Sequence, residues 1–522
     1  MSLLTGSYNR KKVAIIGSGC AGIGALWALN RTPHDVYIYE AENRLGGHTN
    51  TVEWTYGKSK TMVDTGFIVL NTATYPNFIS FLKVLGVPTM PTEMTFGVSR
   101  DKGLFEWAGS SLFSVFAQCS NLLSPRMWRM IFDIIRFNQF ALDLLRNEDI
   151  DLETKAPKQN ERQYCNVREQ ELTIGEYLDR EGYSDAFRDD YLIPMTASVW
   201  STSPDKCSLQ FPAKTLIRFM WNHHLLSIIT ARPQWLTLKY GAKSYIDAVM
   251  KGFPPNHVFL NSPVKSVINE GSSKVQIILS NGKSEIYDHV IIATHGDQAL
   301  KLIQDGSNPE ERSILSGFKT SKNIAVLHSD LRLMPIRRGV WSAWNYITKS
   351  STTSKNIDQV CLTYNMNILQ HISQNVFGDV LVTLNPLYPP NENLVQGKYT
   401  YSHPLYNSDA IKSQQQLYRI QNKRGISYAG AWTRYGFHED GFSSGLQAAI
   451  EHLGAKLPFQ FRDSTFSRGK QPALSTADLF FRTLILAIQN LIAIVEIIFS
   501  IERNHKGKKG LTECLDSMKK EI

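Results

Sequence analysis

Residues 13–22, VAIIGSGCAG, constrain this chain more than any other stretch. An apolar run leads into glycines at G-x-G-x-x-G spacing, then into an apolar helix-like segment and a second strand that closes on Glu40. Each part has a physical job. Gly17 permits the tight turn, Gly19 lets backbone approach a diphosphate, and Gly22 lets helix and strand pack closely. The helix starting near Cys20 and Ala21 aims its unpaired N–H groups and positive dipole end at the loop, where Ser18 completes the cradle. Glu40 follows about 20 residues on, where a carboxylate accepts hydrogen bonds from a ribose 2′-hydroxyl and selects against a 2′-phosphate. A glycine loop alone closes many turns for structural reasons. With strand, helix and terminal acid at these offsets, the segment reads as the βαβ unit of a dinucleotide site.

Just after Glu40 comes Arg44-Leu45-Gly46-Gly47-His48. Alone this is a glycine turn with a surface arginine. At this offset from the fingerprint it resembles the R-x-G-G element of the flavoprotein superfamily of amine oxidases and phytoene-type desaturases. The resemblance implies FAD, with Arg44, the Gly46-Gly47 backbone and His48 at its pyrophosphate and ribityl region. Residues 258–268, 275–279 and 288–294 read as strands separated by Gly271 and Asn281-Gly282 turns. In the superfamily, a valine at the place of Val264 pairs its backbone with adenine. Residues 425–452 resemble the C-terminal flavin motif: a strand, Gly430, a loop, then Asp440 and Gly441 opening a helix. The resemblance turns that helix N-terminus toward the isoalloxazine, where a positive dipole end would stabilise reduced flavin.

A chain of 522 residues exceeds one simple core and predicts two or three domains. With 43% hydrophobic and 20% charged residues and no repeat, it has a globular composition. The net charge of +9 suits an anionic membrane surface, and since nothing resembles a nucleic-acid module, nucleic acid is not an expected partner. Six scattered cysteines without a C-x-x-C pair predict a reducing, intracellular compartment and neither disulfide framework nor metal site. Cys20 is expected to pack rather than react. The short polar N-terminus lacks an apolar signal-peptide core. The expected fold is α/β. A Rossmann-like FAD-binding domain of glutathione-reductase or amine-oxidase type is assembled from 1–100, 240–300 and 421–455. A helical piece (101–239) and a strand-rich piece (301–420) form an α+β substrate domain, and 456–522 is a tail. Residues 151–164 read as an exposed loop.

Within the tail, residues 483–501 (TLILAIQNLIAIVEIIFSI) form an apolar stretch followed by Arg503, Lys506, Lys508 and Lys509. Length and basic flank suit a membrane-spanning or membrane-embedded helix on the cytosolic side, the endoplasmic reticulum being one such membrane. Gln489, Asn490 and Glu496 argue against an ordinary span, because a charge at mid-bilayer costs about 2.5–3.5 kcal/mol. Glu496 lies near one end, where that cost falls. The competing reading is an amphipathic helix lying in the interface or packed on the protein.

Residues 191–245 are more distinctive than the flavin motifs. They include Pro194-Met195-Thr196-Ala197, Asn222-His223-His224-Leu225-Leu226 and Arg232-Pro233-Gln234-Trp235. With Tyr364-Asn365-Met366-Asn367 and Gly436-Phe437-His438-Glu439-Asp440-Gly441, residues 10–455 resemble one subgroup of the superfamily. That subgroup is the NAD/FAD-binding amine-oxidase-like proteins found beside, or fused to, cyclopropane fatty-acid synthases. The resemblance implies a lipid acyl substrate and a lipid-modifying methyltransferase as partner, by context rather than by visible chemistry.

Flavin oxidoreductases take a hydride at N5 and need little acid–base help when the C–H bond adjoins an amine or alkene. His438 and Glu439, ahead of the flavin-facing helix, are candidate catalytic residues as base or substrate-orienting groups. Against this, Asp440 reads equally as an N-cap. His223 and His224 read as core or surface, and Trp200 and Trp235 as packing or as an aromatic tunnel. Lys239 and Lys243 flank Gly241, but neither matches clearly the lysine that amine oxidases place over N5. The leading expectation is an FAD-dependent oxidoreductase desaturating, or otherwise oxidising, a hydrophobic substrate such as a lipid acyl chain. The alternatives are a monoamine or polyamine oxidase, a polyamine pocket needing several acidic side chains, and a non-catalytic flavoprotein partner of a lipid-modifying enzyme.

Overall fold

The computed structural model describes residues 10–146, 172–200, 209–226, 233–269, 274–349, 361–469 and 471–495. The apolar run at 13–16 lies at the centre of a five-stranded, all-parallel sheet. Its order is Val258–Phe259, Asp35–Tyr39, Lys12–Ile16, His289–Ile292, Ile426–Tyr428. Parallel sheets need cover on both faces, and strand side chains alternate between them. Val13 and Ile15 accordingly enter one core cluster, while Ala14 and Ile16 enter another on the opposite face.

Six helices place the cavity and its surroundings: α1 (Cys20–Leu29), α2 (Pro76–Leu85), α3 (Leu112–Val115), α4 (Pro125–Phe140), α5 (His438–Leu453) and α6 (Thr476–Val495). In α1 every residue from Ala21 to Leu29 is buried, as an apolar helix without a polar face must be. It packs on α5 backbone to backbone. A Cβ at Gly445 of α5 would stand 2.0 Å from the Ala21 carbonyl oxygen.

The second half of the molecule is a seven-stranded sheet in the order Val395–Leu405, Lys319–His328, Leu381–Leu384, Cys361–Asn365, Trp344–Thr348, Phe96–Arg100, Phe105–Ala108. The chain thus enters this sheet at Phe96, where it pairs in parallel with Trp344. Beside it, α4 and the helices Ile193–Trp200 and Ala213–Asn222 enclose an aromatic core that includes Phe137, Phe187, Trp200 and Phe219.

Two expectations change. The strand read at 258–268 is broken: Val258–Phe259 joins the parallel sheet, whereas Val264–Ile268 opens a separate antiparallel sheet with Val275–Leu279 and Ser284–Tyr287. Asn261, at φ +48°, and Pro263, which has no N–H to give a ladder, make the break. The apolar tail helix begins at Thr476 rather than 483, because Ser475 and Asp478 form a reciprocal cap. The Asp478 N–H donates to Ser475 Oγ (3.1 Å) and the Ser475 N–H donates to Asp478 Oδ2 (2.9 Å). Residues 496–501 with their basic flank, the loop expected at 151–164 and the Gly271 turn lie outside the described residues.

Candidate functional site

The glycine loop, the R-x-G-G element and the end of the second strand are tied together by one side chain. Ser18, fully buried, donates its N–H to Glu40 Oε2 at 2.9 Å and its hydroxyl to the same carboxylate. Ser18 Oγ in turn accepts the Gly46 N–H at 3.1 Å. Glu40 Oε1 accepts the Glu42 N–H at 3.0 Å. A carboxylate has about four lone-pair sites, so Glu40 keeps acceptor capacity toward the cavity it lines. Arg44 donates to the Gly47 carbonyl at 2.9 Å, bracing the turn while remaining on the cavity wall.

Gly17, Ser18, Gly19, Cys20, Ala21, Glu40, Arg44, Gly46, Gly47, His48, Val264, Gly430 and His438 all line a single cavity of about 1000 Å³. Gly22 does not. It sits against the loop, where its Cβ would fall 2.0 Å from the Gly17 carbonyl oxygen. Two features fit the diphosphate of FAD. The first turn of α1 has no side-chain cap and its Cys20 and Ala21 line the cavity, so the positive end of the helix is open to an anion. Gly19 has open space where a side chain would stand. These amides with Ser18, Glu40 and Arg44 would hold the diphosphate and ribose, and the Val264 strand the adenine.

The C-terminal motif is arranged differently from its expectation. The helix starts at His438, not Gly441, and Asp440 is its third residue, accepting the Phe437 N–H at 2.9 Å. Burial pushes the Asp440 carboxyl up to about 6. Gly441 packs on Cys20, whose Sγ would lie 2.5 Å from an added Cβ. Neither Asp440 nor Gly441 lines the cavity. Glu439 also needs correction as a catalytic candidate. Its carboxylate accepts the Asn77 and Phe78 N–H groups at 3.0 and 2.9 Å and the Ser443 hydroxyl at 3.0 Å. It therefore caps the N-terminus of α2 from a distance and turns away from the cavity. Burial raises its pKa to about 8 against those hydrogen bonds.

His438 does face the cavity. Its ring stacks on Phe67 at 3.7 Å and lies 3.1 Å from the Tyr245 hydroxyl, which also meets Thr49 Oγ1 at 2.8 Å. Burial holds it down at about 3, so the imidazole is neutral. His48 forms a cluster with His295 and His403, ring centroids 5.7 and 5.2 Å away, and burial lowers all three. His295 and His403 carry no motif that sequence reasoning would single out.

Beyond His438 the cavity is aromatic. Trp200 lies 4.4 Å from Phe219, and Phe219 stacks on Phe437 at 5.0 Å. Phe67, Tyr75, Trp235, Trp344 and Tyr364 complete the wall. His223 lines it too, its Nδ1 at 2.9 Å from the Phe219 carbonyl and its pKa lowered by burial to about 4. His224 does not. Among the described residues, Glu40 and Glu42 are the cavity's only carboxylates, and both stand at the adenosine end. Lys239 and Lys243 are exposed and outside it. Among the described residues no group of three or more His, Cys, Asp or Glu side chains, the His48 cluster included, is placed to hold a metal ion.

A family model described as flavin containing amine oxidoreductase matches residues 20–328. No curated protein matches the chain. Among solved structures, a CLA-producing fatty acid isomerase from P. acnes superposes with a TM-score of 0.55 at 14% identity, covering 84% of this chain and 98% of that one. A cyclohexylamine oxidase from Brevibacterium oxydans IH-35A gives 0.57 at 14% identity, with 85% and 99% covered. A putrescine oxidase bound to putrescine gives 0.56 at 14%, with 85% and 98% covered. At such identities the likeness concerns the fold.

Proposed function

Because the chain belongs to the flavin containing amine oxidoreductase family and is an FAD-dependent oxidoreductase, we propose that its substrate is uncharged and apolar, a lipid acyl chain above all. Bound FAD supplies the hydride acceptor. One observation carries the reading: the aromatic end of the cavity has no carboxylate among the described residues to meet an ammonium group. A polyamine would have to bury its charges there unpaired, at a cost of several kcal/mol each. An acyl chain would instead bury apolar area against Trp200, Phe219 and Phe437 at about 25 cal/mol per Å². The fold is compatible with either chemistry, as the isomerase and the amine oxidases illustrate, so the site must decide.

The chain's own residues bind and orient. Neutral His438, held by Phe67 and Tyr245, presents a polar edge in an apolar wall. Its depressed pKa suits a hydrogen-bonding or orienting group more than a base that must take a proton near neutral pH. The aromatic lining offers water few partners at that end. α6, about 30 Å long at 1.5 Å per residue, matches the hydrocarbon thickness of a bilayer and would hold the enzyme at the source of its substrate.

Anaerobic mixing of the purified holoenzyme with acyl lipids, monoamines and polyamines tests the reading. The expected result is bleaching of the flavin band by acyl lipids alone. Bleaching by amines, with acyl lipids silent, would reverse it.

A further inference from the structure

Apolar side chains crowd the outer surface of α3 and α4, where water would be expected. Leu112, Phe113 and Leu123 are 81%, 79% and 88% exposed, and Trp128 and Ile135, two helical turns apart on one face of α4, are exposed as well. α4 is apolar on both sides: Met127, Met130 and Phe137 are buried on its inner face together with Asp133, Arg136 and Asn138, while Trp128 and Ile135 face outward. Buried Asp133 is held on its inner side by Arg129 and by the Ser184 N–H at 3.0 Å, both at Oδ2, so the outward face is left to apolar side chains. An exposed patch of this kind marks an interaction surface.

The C-terminal end of α4 meets α6, which points to what covers the exposed face. α6 docks at the C-terminal end of α4: Arg482 pairs with Asp143, donates to the Gln139 carbonyl at 3.3 Å and lies 4.4 Å from the Phe140 ring centroid. Leu484, Leu491 and Ile494 of α6 are themselves exposed. At the opposite end of the patch, exposed Lys102 and Arg338 stand near exposed Leu104 and Ile336. Apolar side chains rimmed by cations match the headgroup region of an anionic bilayer.

We propose that the α3–α4 surface is a bilayer-contact face that inserts into the interfacial layer of an anionic membrane beside α6. It rests on the membrane part of the proposed function and is independent of the substrate. It would also shorten the substrate's path. Met127 and Met130, on the inner side of α4, share a core cluster with Trp235, Trp344 and Tyr364 of the cavity wall. The inner side of α4 therefore packs on the same core that backs the aromatic end of the cavity.

The test uses the full-length holoenzyme and vesicles of phosphatidylcholine with phosphatidylserine. An environment-sensitive fluorescent amino acid replaces Leu123 in one preparation and Ile324, an exposed residue of the seven-stranded sheet, in a control. Emission from position 123 should shift to the blue on adding vesicles while position 324 stays unchanged. The triple variant Leu112→Asp, Phe113→Asp, Leu123→Asp should partition ~100-fold more weakly, with flavin absorbance and circular dichroism intact. Vesicle binding with position 123 still in water would overturn the proposal and leave α6 as the sole anchor. Blue emission before vesicles are added would also overturn it, assigning the surface to a second copy or to another segment of this chain. Neither readout involves turnover, so failure of the acyl substrate leaves the result untouched.

Discussion

The cavity's cofactor half, at the glycine loop, and its proposed substrate half, at the aromatic end, are built by different means. Around Gly17, Gly19 and Gly46 the wall is backbone, and its positions are fixed by single atoms: one Ser18 side chain joins Glu40 to Gly46. Around Trp200, Phe219 and Phe437 the wall is side-chain surface, held mainly by ring packing, with the Trp200 indole N–H donating to the Tyr435 carbonyl at 3.1 Å. A diphosphate needs several N–H groups from consecutive residues, which makes its site local and intolerant. An apolar chain needs only area and shape, so its site is dispersed and forgiving.

The largest effect should therefore follow from the smallest change in the cofactor half. Gly22→Ala would set a Cβ 2.0 Å from the Gly17 carbonyl, backbone against backbone. The strain should cost about 3 kcal/mol or more and yield colourless protein, read from the absorbance of purified material. Phe219→Leu, a larger change in the substrate half, should keep full flavin and lose roughly tenfold in turnover. Equal flavin content in the two variants would erase the distinction between the halves. Val69→Asp comes next. Val69 lines the aromatic end, and a carboxylate there should slow flavin reduction by acyl lipids about 100-fold in stopped-flow while leaving FAD bound. A gain of amine oxidation in the same variant would sharpen the case that missing acids set the specificity.

That contrast also explains what the sequence could disclose. Gly17 to Gly22, Glu40, Arg44 and Gly46 are separated by fewer than about 30 positions because one βαβ unit carries them. The aromatic end draws on Phe67, Trp200, Trp344 and Phe437, and nothing local ties such residues to one another. His223 could be placed only once the Ala213–Asn222 helix had a direction. Glu439 misled for a related reason: its partners, the Asn77 and Phe78 amides, lie some 360 positions away, so a capping carboxylate looked like a catalytic one. The burial of Asp133 and Arg136 in α4 was hidden too, since it draws on Ser184 and the Glu181 carbonyl from outside the helix as well as on Arg129 within it.

Glu439→Gln tests that reassignment. The amide keeps one acceptor but turns an N–H₂ toward a backbone N–H, which should cost about 2 kcal/mol and lower the Tm without removing flavin. A variant with unchanged Tm but lost flavin reduction would restore Glu439 to the chemistry. The pH dependence of stability follows from histidines in both halves. Burial lowers His289 in the parallel sheet to about 3 and His223 at the aromatic end to about 4, against an unfolded value near 6.5. A depressed folded pKa means that this stability is complete above about pH 6.5 and is lost as pH falls toward the folded values. The histidine contribution to the Tm should be flat from pH 8 to 7 and decline below about 6.5. It sits on top of an opposite trend from Glu439, whose pKa of about 8 makes stability fall as pH rises. His289→Gln and His223→Gln should each make the decline shallower, by up to about 1.4 kcal/mol per pH unit.

The smallest effect is expected at Cys20, where two influences oppose each other. A thiol in the first turn of a helix is ordinarily acidified by the dipole. Here burial dominates, with Asp440 and Glu439 adding to it, and the thiol is pushed up to about 12. Cys20 should therefore stay unmodified by iodoacetamide under conditions that alkylate exposed Cys119, as peptide mapping would reveal. Cys20→Ala removes one sulfur that packs against Gly441 and should cost only about 1 kcal/mol, with flavin retained. Rapid alkylation of Cys20 would mean that the dipole outweighs burial. The phosphate loop would then be a more solvated place than its packing implies, and the cofactor half less rigid than its contrast with the aromatic half requires.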